Sequence, residues 1–301
     1  MAETTILESQ HKTEIDPATG IGRVYYSVAD LERQIAFYGD ILGFKLLWRE
    51  GDTAALGTEK RELLRLTLVP GARRVRGTTG LYHTAFLVPT RWDLAQLVRQ
   101  IAVTRTPIQG HSNHGTHLAI YLPDAEGNGI ELAWDFPKEV WPMKNGQLSF
   151  DMANRSGVDI DELFQELEND SRDWTGLDPQ TKIGHVHLHI ADIDASRRFY
   201  RDLLGFDTTL DSADFGGLFV SAGGYHHHIG MNTWLGAGAP PAPPDAVGLR
   251  YYTITLPNQT ELDKAVARLE AGDVQTEKID AGVFVRDPSQ NGVVLTLDES
   301  K

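Results

Sequence analysis

The stretch IGHVHLHIADIDASRRFYRDLLGF, residues 183–206, decides the architecture, because the chain carries a second version of it, IGRVYYSVADLERQIAFYGDILGF, at residues 21–44. The two share I-G-x-V, A-D, F-Y and L-G-F in register. A repeat that restarts halfway along predicts a fold assembled from copies of one supersecondary unit. The copies agree at apolar and turn positions but differ at one telling place: Arg23 stands in the first where His185 stands in the second. The shared frame reads as structural, and the histidine as the candidate for chemistry.

Working outward, residues 21–28 alternate as a strand, and Asp30 caps a helix whose apolar face is Leu31, Ile35, Phe37, Tyr38 and Leu42, closed by Gly43. Short strands are expected at 44–48, 53–57 and 63–69. A second unit opens at Gly80 with LYHTAFLVP, continues through a helix over 91–103, and ends in HLAIYLPD and NGIELAWD, joined by a tight turn over 126–129. The third unit runs from Ile183 to about Trp234. The fourth comprises VGLRYYTITLP, a helix over 260–269 and VFVRDPSQNGVVLTLD. Units two and four share G-L at the start and D-x-x-x-N-G near the end, so the order is A, B, A′, B′. The expected organisation is an α+β chain of four βαβββ modules: a polar tail over 1–20, two modules over 21–136, a connector over 137–180 and two modules over 181–301. The connector is expected to pack on the outside; it holds an acidic amphipathic helix over 159–168 and the aromatics Trp141, Phe150, Phe164 and Trp174. The prolines at 240–244 predict a stiff surface loop.

The length of 301 residues suits roughly two domains. A net charge of -14 disfavours nucleic acid and anionic membranes as partners, since both need clustered Lys and Arg. With no cysteine there is no disulfide and no thiol nucleophile, and any metal must sit on nitrogen and oxygen. No apolar stretch approaches the ~18 residues of a membrane span, and the polar N-terminus lacks a signal peptide's apolar core, which makes the cytoplasm the expected location.

Four such units with F-Y, L-G-F and D-x-x-G-N-G-x-E signatures resemble the vicinal oxygen chelate superfamily, the fold of glyoxalase I, bleomycin-resistance proteins and extradiol ring-cleaving dioxygenases. With GGYHHHIGMNTW at 223–234, the four-unit length is most similar to the catechol 2,3-dioxygenase branch. The resemblance implies two cup-shaped mixed sheets. It also implies a divalent metal held in one cup by a histidine from the first strand of each paired unit and a glutamate from a last strand. First-strand positions hold Arg23, His83, His185 and Tyr251; last-strand positions hold Glu131 and Val294. The implied metal ligands are therefore His83, His185 and Glu131, a set suited to Fe(II), with Mn(II) using the same donors. One cup must hold all three, so unit two should pair with unit three, and units one and four should form a second cup without metal. In better-known extradiol enzymes the metal cup is made by units three and four.

The resemblance also implies an acid–base histidine in YHHHIG, residues 225–230. Family register favours His227, and strand alternation would put His226 and His228 on the face opposite to it. Tyr121 matches a tyrosine that hydrogen-bonds a substrate oxygen, and His114, ahead of His111 and His117, matches a further pocket histidine. Taken singly, a histidine such as His83 on an apolar strand is more often a packed, hydrogen-bonded residue than a ligand, and the histidines of YHHHIG could simply lie on the surface. Glu131 is sharper: between Ile130 and Leu132 it should be buried, where an unpaired carboxylate is costly and a metal would satisfy it. The function implied is an Fe(II)-dependent extradiol dioxygenase taking a catechol-type small molecule and dioxygen, with neither nucleic acid nor membrane as partner; a homo-oligomer is compatible with this fold. A glyoxalase-type isomerase would need a second carboxylate, and a metal-free binding protein would need empty ligand positions.

Overall fold

The A-D that ends each repeated strand starts a helix in both copies. In the computed structural model, which describes residues 15–144, 147–149, 156–170 and 172–298, β1 (Gly20–Val28) leads to Asp30, whose carboxylate accepts from Arg33 N to open α1 (Leu31–Ala36). The helix runs on as a π turn over Phe37–Ile41. Gly43 then takes φ +73°, open to glycine at no steric cost, and Phe44 N closes on Tyr38 O at 3.0 Å. β2 (Lys45–Glu50), β3 (Thr53–Gly57) and β4 (Glu62–Leu68) complete the unit.

The second unit is β5 (Gly80–Leu87), α2 (Arg91–Val103), β6 (Gly110–Asn113), β7 (His117–Pro123) and β8 (Gly129–Asp135). The stretch holding His111 is thus the edge strand β6, hydrogen-bonded along β7. Thr90 and Asp93 form a reciprocal capping box that fixes the start of α2 where the sequence placed it. The connector forms β9 (Met143–Lys144), β10 (Gln147–Leu148) and α3 (Ile160–Asn169). Unit three is β11 (Lys182–His189), α4 (Ile193–Arg197) with a π extension over Arg198–Leu203, β12 (Asp207–Ser212), β13 (Gly217–Ser221) and β14 (Ile229–Asn232). Unit four is β15 (Gly248–Leu256), α5 (Gln259–Ala271), β16 (Glu277–Ile279), β17 (Gly282–Arg286) and β18 (Gly292–Leu297).

The strands form two eight-stranded mixed sheets, ordered β16-β17-β18-β15-β1-β4-β3-β2 and β12-β13-β14-β11-β5-β8-β7-β6. Unit one therefore pairs with unit four and unit two with unit three, as the ligand positions required. At both centres the first strands of the paired units run antiparallel, β1 with β15 and β11 with β5. The hydroxyls of Tyr26 and Thr84, one from each sheet, meet at 2.6 Å.

The repeated F-Y and D-x-x-x-N-G signatures are partners. Asp124 accepts from Glu126 N and Asn128 N at 2.9 and 2.8 Å, from the Asn128 amide at 2.8 Å, and from Gln34 Nε2 and Tyr38 OH of unit one. Asp287 repeats this with Ser289 N, Asn291 N, the Asn291 amide and Tyr200 OH of unit three. Each buried carboxylate so ties a unit to its neighbour in sequence, while the sheets tie the two halves of the chain together.

The connector lies mostly outside, with α3 against α2 and Arg91 paired to Glu162 and Glu166. Phe164 and Trp174 pack against the core, and Leu177 N donates to Gly43 O. Trp141 departs from that expectation: its ring centroid lies 5.4 Å from that of His226. Phe150 and the first fourteen residues of the expected tail lie outside the described residues, while Ile15, buried, donates its N–H to Gly205 O at 3.2 Å.

Removing the Tyr38 hydroxyl (Tyr38→Phe) is expected to lower stability by about 1 kcal/mol, the usual worth of one such bond. Tyr200 also accepts from Tyr252 OH at 3.0 Å, so Tyr200→Phe orphans a second buried hydroxyl and should cost about 2 kcal/mol. Urea unfolding of the two variants measures the difference.

Candidate metal centre

One rung across the second sheet carries the site. His185 on β11 opposes Ala85 on β5, Ala85 pairs with Glu131 on β8, and Glu131 opposes Tyr121 on β7. Directly opposed residues share a face, and the methyl of Ala85 leaves the space over which His185 and Glu131 lean together. His83, two residues before Ala85, faces the same way. Glu131 Oε2 lies 3.1 Å from His83 Nε2 and 3.4 Å from His185 Nε2, and the two nitrogens are 3.3 Å apart. All three side chains are buried, Glu131 to 1% exposure.

β5 is irregular here. His187 opposes His83, but the next residue of β11, Leu188, opposes Leu81, so Tyr82 is an extra residue in a β-bulge. The bulge brings the Tyr82 ring to 5.0 Å from those of both His83 and His187. Tyr82 continues outward to Trp234 at 5.3 Å, and Trp234 to Phe215 at 5.2 Å, all three exposed.

His114 and Tyr121, proposed from sequence as pocket residues, meet at 2.8 Å between Nε2 and OH. Their neighbour His117 was ranked below His114, yet it touches the carboxylate itself, with Nε2 3.1 Å from Glu131 Oε1. That approach is too oblique for a directed hydrogen bond, and Oε1 is left buried without one. Residues 225–228 are not a strand but the link between β13 and β14, so the expected alternation does not apply. His226 and His227 both face the cluster: His227 packs 4.1 Å from the His185 ring and 4.6 Å from Phe219, and His226 stacks 4.6 Å from His117. His228 turns aside, its Nδ1 accepting from Ala222 N. Asp135, unremarked in the sequence, meets His226 Nε2 at 3.2 Å; its spacing of four from Glu131 on one strand was the signal that it shares that face.

Burial pushes the Glu131 carboxyl up, but the facing imidazoles, His185 foremost, outweigh it and hold the group well below the ordinary carboxylate range. Burial lowers His185 and raises the Tyr121 phenol, the latter helped by the Glu131 charge. The result is an ionised carboxylate beside a His185 ring that burial disfavours protonating, the protonation state that metal ligation requires. A cation about 2.1 Å from three donors at right angles leaves those donors about 3 Å apart, close to the separations of His83, His185 and Glu131. Oε1, buried with His117 Nε2 at 3.1 Å but no hydrogen bond of good geometry, leaves this carboxylate able to take a further positive partner. The residues present therefore fit a divalent ion. In the other cup the corresponding space is filled: Arg23 faces Glu62 at 3.4 Å, Arg65 grips Glu62 through two hydrogen bonds, and Tyr25 stacks on Tyr251 at 4.0 Å.

Two βαβββ cups, one furnished with histidines and a buried glutamate, define a protein class. A profile of the Glyoxalase/Bleomycin resistance protein/Dioxygenase superfamily matches residues 20–132 and 182–295, and the chain belongs to that superfamily. Within it, the chain is 39% identical over 288 residues to catechol-2,3-dioxygenase of Bacillus subtilis (strain 168), covering 95% of this chain and 99% of that one. Solved structures of like fold include a Bacillus subtilis protein provisionally described as a dioxygenase (TM-score 0.62, 12% identity, 92% of this chain and 84% of that one) and glyoxalase I of Zea mays (TM-score 0.55, 16% identity, 92% of each). At those identities the likeness is one of fold. No helix among the described residues is long and apolar enough to cross a membrane.

Burial pushes His114 down to about 4, and His226 and His228 down to about 3. Below about pH 6.5 the unfolded chain takes up protons that these folded rings refuse, so stability is complete above that pH and falls as pH drops toward 4. Urea midpoints at pH 7 and pH 5 should show the loss. Replacing His228 by Gln is expected to reduce the slope by about 1.4 kcal/mol per pH unit.

Proposed function

We propose that the chain is an Fe(II)-dependent extradiol ring-cleaving dioxygenase acting on a catechol-type substrate, with His83, His185 and Glu131 as the metal ligands. The observation that carries this reading is the buried Glu131 carboxylate facing two imidazole nitrogens with no hydrogen bond to its second oxygen. Near-complete coverage by a relative named catechol-2,3-dioxygenase supports the substrate class. Iron bound there would offer neighbouring open positions to the two catechol oxygens and to dioxygen, and would act as a Lewis acid on the phenol.

The chain's own groups then have separable tasks. Tyr121 OH meets His114 Nε2 at 2.8 Å; with His114 donating from Nε2, the phenol, which burial and Glu131 keep protonated, turns its one proton to a substrate oxygen. His227 takes the catechol proton and later returns it; its ring is sealed from water between His185 and Phe219. The aromatic file Tyr82, Trp234 and Phe215 forms an uncharged wall leading out from the cluster, along which a ring substituent can stack.

Purified protein is expected to hold one iron per chain, to consume oxygen with catechol, and to place both atoms of labelled dioxygen in the ring-opened product. Glu131→Ala should lose the metal and with it the activity. His227→Phe should keep the metal while kcat falls about a hundredfold, the usual scale for a general acid–base group. Iron-loaded protein that consumes no oxygen with any catechol would overturn the assignment.

A further inference from the structure

Two adjacent imidazoles touch through like atoms. His226 Nδ1 and His227 Nδ1 are 2.8 Å apart, so one nitrogen must carry the proton and the other the lone pair. A neutral imidazole has one of each, and the choice at this contact is made elsewhere. His226 Nε2 lies 3.2 Å from Asp135 Oδ1. An ionised carboxylate only accepts, so Nε2 is the protonated nitrogen of His226 and its Nδ1 is the acceptor.

We propose that Asp135, acting through His226, sets the tautomer of His227, with the proton on Nδ1 and the lone pair on Nε2. The inference rests on the reading above for its catalytic consequence, that His227 serves as a base, but its geometry stands apart from that reading. Asp135 and His226 are positioning residues; neither is asked to touch substrate.

Three features support the arrangement. Asp135 stays ionised: burial pushes it up, but the hydrogen bond and field of His226, the nearby His117 and a hydrogen bond from Tyr225 together outweigh burial and hold it below the ordinary carboxylate range. His226 stays neutral, being 1% exposed and stacked face to face on His117 at an interplanar angle of 14°. The loop is fixed from behind, since Thr209 Oγ1 donates to His226 O at 2.8 Å. A carboxylate that selects an imidazole tautomer is the familiar use of an acidic partner behind a working histidine. Here a second imidazole is interposed, and the tautomer is handed on through it. The opposite tautomer of His227 would put a proton on Nε2, leaving that atom unable to accept one.

The test reads the tautomer directly. Two-bond proton–nitrogen spectra of 15N-histidine-labelled full chain, loaded with diamagnetic Zn(II), assign His227 by comparison with His227→Gln. The wild type is expected to show His227 as a single Nδ1-protonated population. In Asp135→Asn the amide can offer His226 either its oxygen or its nitrogen, and in Asp135→Leu it can offer neither, so an Nε2-protonated population should appear in both; Asp135→Glu should restore the single pattern. With iron, Asn and Leu are expected to lower kcat by about tenfold or more with KM little changed. A wild-type His227 protonated on Nε2 or on both nitrogens, or a spectrum unchanged in both Asn and Leu variants, overturns the proposal. A wild type with the expected spectrum but no oxygen uptake overturns the dioxygenase reading and leaves the tautomer assignment standing.

Discussion

Antiparallel hydrogen bonding between β5 and β11 is the constraint on which the site depends. His83 and Glu131 come from the first half of the chain and His185 from the second, and only this seam sets them on one face of one sheet. The seam is not regular. Its two register breaks, at Gly184 and at Tyr82, let the strands stay paired while presenting more side chains to the cup than strict alternation would allow. That is the usual use of a bulge near a working site.

The two cups show how one frame can be put to different ends. Both keep the buried aspartate, its asparagine and the partner tyrosine, so both have the same shape. In one, Arg23 and Arg65 neutralise Glu62 and aromatic rings close over the space. In the other, the positions corresponding to Arg23 and Tyr251 are His185 and His83, and a buried carboxylate is left facing imidazole nitrogens with no arginine among the described residues to neutralise it. The first arrangement is electrostatically complete; the second asks for a cation. Placing an arginine at a ligand position is itself a way of refusing a metal, since a fixed positive charge occupies the place of the ion.

Much of this was legible in the sequence because it is periodic. The repeat, the capping aspartates, the left-handed glycines of L-G-F and the turn aspartates all follow from local rules, and the pairing of unit two with unit three followed from the ligand positions that the family resemblance implies. The sequence failed where geometry departs from regular alternation. His226 was assigned to the far face because YHHHIG reads as a strand, whereas the chain leaves the sheet there and lets successive histidines turn the same way. Tyr82 was missed because a bulge has no residue signature at that position. His117 was ranked below His114 because both lie in one histidine-rich stretch, and only the β7–β8 ladder tells which reaches the carboxylate.

The crossed arrangement of units also bears on the chain as a covalent object. Each half contributes one unit to each sheet, so a polypeptide ending at the connector would leave β1 and β5 both with bare edges, and bare edges invite association with whatever strand is at hand. Two such fragments made separately would be complementary to each other along two seams at once. The connector, in this light, is a tether that raises the local concentration of one half around the other, and His83, Glu131 and His185 come together only when that reunion has occurred.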